Sequence, residues 1–201
     1  AAWHCREVIR VIAASAEPYP AQSGLAQMSL GIVLGEWNQL EDAATHLRQS
    51  LDLQQYQGNP YSFVESSLAL ARVQQAQNDG PAAWQTLTLA ERVVGETGQQ
   101  RSLILAARAL LHLRQGHLEE SIQWSTAAGL GVDDILFPAR EFEYRVWVRV
   151  LLGQGQLEAA LHLLTRLRAV AETQERFGNV IELLVLEALA HKAKGERRDS
   201  A

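Results

Sequence analysis

The sequence has few of the residues that define several large classes of protein. It contains one cysteine, Cys5, in 201 residues, so no disulfide can form within the chain. A chain without disulfides fits a reducing compartment such as the cytoplasm. No apolar run approaches the roughly 18–20 residues that a membrane span requires, and no signal peptide is visible. We therefore expect a cytoplasmic protein that makes no membrane contact.

An excess of positive charge is also missing. The chain has 18 Lys and Arg against 23 Asp and Glu, which gives a formal net charge of -5. Broad nucleic-acid binding requires a basic surface, and this balance does not indicate one, although it is compatible with a local basic patch. We expect no direct contact between these residues and nucleic acid.

Motifs that carry catalysis are missing as well. The six histidines form no H-E-x-x-H, and the sequence has no G-x-S-x-G and no G-x-x-x-x-G-K-[ST]. His112 and His117 are five residues apart, a spacing that predicts different helix faces across a turn. Glu158 and His162 are four apart, which favours a surface pair over a metal site. We expect no enzymatic activity, no metal site and no cofactor.

What the sequence does contain is an internal repeat. Aligning Asn38, Asn78, Gly116, Gly155 and Gly195 as turn positions gives separations of 40, 38, 39 and 40 residues. Small residues recur seven positions before and five positions after these turns, where they let two helices approach closely. The residues predicted to pack the repeats are Gly31, Leu40, Ala43, Ala71, Ala83, Ala109, Leu118, Leu157, Ala160 and Ala188.

Helical periodicity between these turns predicts ten helices and no sheet. Pro60, Pro81 and Pro138 stand where helices begin, a position that tolerates proline. We predict an all-α fold, a right-handed superhelical solenoid of antiparallel helix pairs that forms a single domain over residues 1–201. The predicted helices lie near 2–16, 22–36, 40–56, 60–77, 81–95, 99–115, 118–128, 138–153, 157–175 and 178–195.

The pattern indicates a fragment of a longer protein, cut within a repeat at both ends. Residues 2–16 look like a second helix without its first, and residues 196–201 look like the start of a second helix. The only methionine is Met28, which is not at the start. Terminal repeats normally carry polar caps, so we expect exposed repeat ends and self-association through them.

Two segments carry a family resemblance, LGEWNQLEDAATHLRQSLDL (34–53) and LALARVQQAQNDGPAAWQTLTLAERV (68–93). Helix pairs with small residues at these positions resemble tetratricopeptide repeats, and the longer period is similar to the helical-repeat domain of MalT-like, LuxR-type (STAND ATPase) transcription regulators. The resemblance implies a bacterial regulator with a nucleotide-binding switch before the repeats and a DNA-binding helix-turn-helix after them. Neither motif is visible here, so the resemblance assigns ATP and DNA binding to other regions.

The resemblance further implies a signal-input domain that binds a small effector or a partner protein and contacts the neighbouring domains of its chain. The alternative is a general scaffold or adaptor that binds peptide segments of partners. In tetratricopeptide-like stacks the first helix of each pair lines a concave groove. On that basis the groove residues are Arg72, Gln75, Tyr144, Arg145 and Arg149. The competing interpretation is that these arginines pair with Glu65, Glu141 or Glu182 in neighbouring repeats.

Overall fold

The computed structural model describes residues 2–14, 20–54, 60–95 and 98–199. Within these ranges it has ten α-helices, one 3-10 turn and no strand. None of the described helices is long and apolar enough to cross a membrane. The helices are α1 (Ala2–Ala14), α2 (Pro20–Glu36), α3 (Leu40–Gln54), α4 (Pro60–Ala76), α5 (Gly80–Val94), α6 (Gln99–Arg114), α7 (Leu118–Ala127), α8 (Glu141–Gly153), α9 (Leu157–Thr173) and α10 (Phe177–Asp199).

The ten predicted helices and the all-α fold class are confirmed. Pro60 is the first residue of α4, Pro81 the second of α5, and Pro138 opens the 3-10 turn Pro138–Arg140 that leads into α8. Proline is tolerated there because the amide hydrogen that it lacks has no partner in the first turn of a helix. The predicted helical residues 15–16 and 55–56 lie outside the described residues.

Four of the predicted turns share one backbone geometry. Asn38, Asn78, Gly116 and Gly155 have φ angles of 59°, 62°, 82° and 71°. In each turn the next residue donates its N–H to the carbonyl five positions earlier, at 2.8–2.9 Å. This is the Schellman ending of a helix, which needs a left-handed residue and therefore favours glycine or asparagine. The repeat of Asn and Gly in the sequence is thus a repeat of helix ends.

The turn predicted at Gly195 is wrong, because α10 continues through it to Asp199. A glycine inside a helix costs only about 1 kcal/mol relative to alanine, so it does not by itself end one. The same alignment predicted that Ala188, seven positions before Gly195, packs between repeats, but Ala188 is exposed. The last Schellman turn instead lies at Glu175, with φ 54° and a 2.9 Å bond from Arg176 N to Ala171 O.

The chain divides into two compact units, Ala1–Ile104 and Leu105–Ala201, with the boundary inside α6. In the first unit α1 to α5 pack each against the next. The core there includes Leu30, Leu34 and Leu47 beside Ala43. Gly31 permits this packing, because a Cβ atom at that position would lie 2.6 Å from Leu47 Cγ. The small residue predicted at position 31 therefore lies where α2 and α3 approach each other closely.

In the second unit the main core lies between α8, α9 and α10, where Trp147, Leu163, Leu164 and Leu183 pack together. The small residue predicted five positions after the turn at Gly155 is confirmed as a packing residue, since Ala160 is fully buried. The equivalent Ser121 is also fully buried, and its hydroxyl donates to the carbonyl of Ala109 at 2.9 Å. Among the other predicted packing residues, Ala71, Ala83, Ala109 and Leu157 are buried, and Leu40 and Leu118 are half-buried.

Candidate functional site

Two arginines of α8 bind one carboxylate of α10. Arg145 and Arg149 are four residues apart and therefore lie on the same face of the helix. The guanidinium of Arg149 donates to Glu182 Oε1 at 2.6 Å, and that of Arg145 donates to Glu182 Oε2. A second nitrogen of Arg149 donates to the backbone carbonyl of Arg145 at 2.9 Å. The interpretation that these arginines pair with Glu182 is confirmed.

A second set of contacts extends this group. Glu141, only 5% exposed, accepts a hydrogen bond from Asn179 Nδ2 at 2.8 Å and pairs with Arg176. We name the six residues Glu141, Arg145, Arg149, Arg176, Asn179 and Glu182 the α8–α10 cluster. Its three guanidiniums face two carboxylates, so it carries one excess positive charge. These ion pairs connect α8 and α10, which are the first helices of two successive helix pairs.

Tyr144 differs from its predicted place in the groove. It is 1% exposed, and its hydroxyl donates to Asp134 Oδ2 at 3.0 Å. Burial, reinforced by the bond to this carboxylate, raises the pKa of Tyr144 to about 12. Helical periodicity explains the difference, because Tyr144 precedes Arg145 by one position and points toward the core.

Arg72 and Gln75 lie on α4, in the first unit, whereas the other three predicted groove residues lie in the second. Arg72 pairs with Glu36 at 2.6 Å, and both side chains are more than 60% exposed. Gln75 is half-buried. An exposed pair of this kind contributes little stability, about 0–1 kcal/mol. The arginines with the more enclosed contacts are therefore those of α8.

The irregular segment 128–137 is held by specific contacts that the sequence did not reveal. Arg166 of α9 donates to the backbone carbonyls of Val132 and Asp134, the latter at 2.6 Å. The Asp134 carboxylate accepts from Gly131 N at 2.8 Å as well as from Tyr144. We name this segment the clamped loop. Arg166 of α9 satisfies two of its backbone carbonyls, and the Asp134 carboxylate, held by Tyr144 of α8, satisfies one backbone N–H.

The clamped loop directs some apolar side chains inward and others outward. Leu130, Val132 and Leu136 pack against the core of the second unit. Ile135 and Phe137 are exposed. The loop therefore presents two apolar side chains to solvent on a fixed backbone.

His112 and His117 lie on either side of the turn at Gly116, as predicted, but the turn brings them together rather than separating them. Their ring centroids are 5.8 Å apart, because the Schellman turn at Gly116 reverses the chain between them. Burial lowers the pKa of His112, while the nearby Glu120 acts to raise it. His162 contacts Asp133 Oδ1 at 3.0 Å, and Glu158 pairs with Lys194 at 3.1 Å. Residue spacing along one helix does not predict such contacts between different elements.

The α8–α10 cluster offers guanidinium donors, which suit the two oxygens of a carboxylate or phosphate.

Comparison with known proteins is consistent with the repeated helix pairs described above. The family described as the MalT-like TPR region matches residues 1–201. Comparison with curated proteins finds no match to this chain. Together with the Schellman turns, the buried small residues and the all-helical architecture, the match over this whole length shows that the chain belongs to the family of MalT-like TPR regions.

Proposed function

We propose that this chain is the signal-input domain of a bacterial LuxR-type transcription regulator, and that the α8–α10 cluster receives an acidic group of its signal. The acidic group belongs either to a small effector or to a side chain of a partner protein. The family supports the regulator role. The observation that carries the site is the sharing of one carboxylate, Glu182, by Arg145 and Arg149.

The charges of the cluster support an exchangeable anion position. Glu182 is more exposed than either arginine that it contacts, so it can rotate into solvent. A carboxylate or phosphate of a ligand then takes its place between the two guanidiniums. Because the cluster carries one excess positive charge, it accepts a second anion at lower electrostatic cost than a neutral surface.

A binding role also agrees with the motifs. The nucleotide loop and the helix-turn-helix of such regulators are not visible in this sequence. We therefore propose that this segment detects the signal and transmits it to neighbouring domains, without catalysis of its own.

Replacing Arg145 and Arg149 together with alanine is expected to weaken anion binding about 10- to 100-fold, because charge-assisted hydrogen bonds contribute about 1.5–3 kcal/mol. Glu182→Gln is expected to strengthen binding, because it removes the competing carboxylate. Calorimetry with inorganic phosphate represents a small effector, and fluorescence anisotropy with a labelled hexaglutamate peptide represents a partner segment.

The matched control is Arg72→Ala. Arg72 is an exposed arginine at the position of an earlier repeat that is equivalent to Arg149. It should leave both affinities unchanged. Far-UV circular dichroism of each variant establishes that helicity is kept. If neither probe binds, or if the double variant binds as the wild type does, the cluster is not an anion site.

The expected self-association through exposed repeat ends is favoured by one observation on α10. Ile181 is 64% exposed, and Leu184 and Ala188 are exposed beside it. The equivalent positions of α2, α4 and α8 are all buried. At Gly31 of α2, for example, the covering residues belong to the next helix, α3. The exposed face of α10 therefore matches a surface that a following helix covers elsewhere in this chain.

We propose that α1 of a second copy occupies this face. Within its unit α1 precedes α2 as α3 precedes α4. Helix α1 therefore corresponds to the second helix of a pair, as α3 does. Its Trp3, Val8 and Val11 are exposed. A contact between α1 of one copy and α10 of the next is heterologous, and such contacts produce open chains of subunits.

Sedimentation velocity over a range of concentrations is expected to show growing species for the wild type. Ile181→Lys should shift the distribution to monomer, because it places a charge in the apolar contact. The control Thr173→Lys adds the same charge at an exposed position of α9. A wild type that stays monomeric at every concentration, or a variant that assembles equally well, excludes this contact.

A further inference from the structure

The turn between α6 and α7 brings together three side chains of types that bind transition metals. His112 lies in the last turn of α6, His117 immediately precedes α7, and Glu120 is the third residue of α7. One ligand atom from each residue lies within 4.8 Å of the ligand atoms of the other two. The two imidazole rings are inclined by 52°. Imidazole nitrogen and carboxylate oxygen are ordinary zinc ligands.

The backbone holds this arrangement in place. Gly116 adopts φ 82°, and His117 N donates to the carbonyl of His112 at 2.9 Å. This hydrogen bond fixes the two histidine backbones next to each other. Glu120 follows His117 by three residues, a spacing that places both at the same side of the helix start. The fold therefore already holds the backbones of the three ligand residues close together.

We propose that His112, His117 and Glu120 bind a Zn²⁺ ion through two imidazole nitrogens and one carboxylate oxygen, with solvent water as the fourth ligand. In a tetrahedral site with Zn–N bonds of about 2.0–2.1 Å, neighbouring ligand atoms lie about 3.4 Å apart. His117 and Glu120 are exposed, so rotation of their side chains closes the remaining distance. The half-buried His112 supplies the fixed ligand.

The charges around the site set the expected strength of binding. The positive charge of Arg108 acts on His112 and opposes a cation, whereas the negative charge of Glu120 favours one. Because these two charges act in opposite directions, we expect their net effect on Zn²⁺ affinity to be small. None of the three ligands belongs to the α8–α10 cluster, so this inference stands or falls independently of the proposed function.

Isothermal titration calorimetry of the chain with Zn²⁺ tests the site. We expect one ion per chain, and we expect the visible absorption of Co²⁺ to change when that ion is added instead. His117→Gln and Glu120→Gln should each weaken binding at least about 10-fold, since even indirect support of a ligand is worth 10- to 100-fold. These two residues are exposed, so both variants should fold.

The control is His191→Gln, which removes an exposed histidine of α10. It should leave affinity and stoichiometry unchanged. Zn²⁺ should also raise the melting temperature of the wild type and not that of His117→Gln, because a ligand of the native state stabilises it. Absence of stoichiometric binding, or binding that survives in both ligand variants, overturns the assignment.

Discussion

Arg176→Met is expected to lower the free energy of unfolding by about 2–4 kcal/mol. The guanidinium of Arg176 pairs with Glu141, which is buried and keeps Asn179 as its other donor. Removing the arginine leaves a buried carboxylate with one partner, and an uncompensated buried charge is costly. Arg176 is itself 28% exposed, which keeps the expected loss below the upper end for fully buried pairs. Urea denaturation followed by circular dichroism measures the change.

The control for this prediction is Arg72→Met, which removes the same group from an exposed pair. Its expected effect is below about 1 kcal/mol. Adding Glu141→Gln to Arg176→Met should restore part of the stability, because the amide is neutral. Equal losses for Arg176→Met and Arg72→Met would show that burial of Glu141 has no influence on the pair.

Gly31→Ala is expected to lower the free energy of unfolding by about 1–3 kcal/mol through overpacking. The added Cβ atom would lie 2.6 Å from Leu47 Cγ and 3.1 Å from the carbonyl oxygen of Ala43. Because a backbone atom is among these neighbours, a side-chain rotation alone does not relieve the contact. Thermal and urea denaturation of the variant give the loss directly.

Gly35→Ala provides a control in the same helix with the opposite expected sign. Its Cβ atom would meet Val73 at 3.4 Å, which is ordinary van der Waals contact. Alanine is the better helix former by about 0.5–1 kcal/mol, so this variant should be more stable than the wild type. Should Gly31→Ala be stabilising too, the close approach of α2 and α3 at Gly31 is not required by the fold.

The repeat was predictable because its signals are local. Asn38, Asn78, Gly116 and Gly155 end helices through their own backbone preferences, and small residues at fixed distances from them mark close helix contacts. Gly195 misled the prediction, because glycine permits a turn without requiring one. The helix end near Glu175 was predicted, but its left-handed backbone was not, since glutamate rarely adopts that conformation. Local preference therefore identified the helix ends at which the left-handed residue is one that favours this conformation, asparagine or glycine.

The candidate site was less predictable because it depends on contacts between elements. The position of Arg145 and Arg149 on one face follows from helical spacing, and their pairing with Glu182 was one of the alternatives from the sequence. The turn between His112 and His117 was predicted, but their proximity was not, because it depends on how tightly the chain reverses at Gly116. The partners of Asp134 lie on α8 and in its own loop, and Arg166 reaches the loop from α9. Separation along the sequence hides such contacts.

The clamped loop has a consequence for proteolysis. A protease needs a stretch of backbone that can leave the fold and enter its cleft, and exposed loop tips usually supply it. Here the carbonyls of Val132 and Asp134 are held by Arg166, and Leu130, Val132 and Leu136 are packed into the core. Cleavage within this loop therefore requires these contacts to open first, so its rate follows the population of the opened state. A segment without helix or strand is in this case protected as part of the second unit.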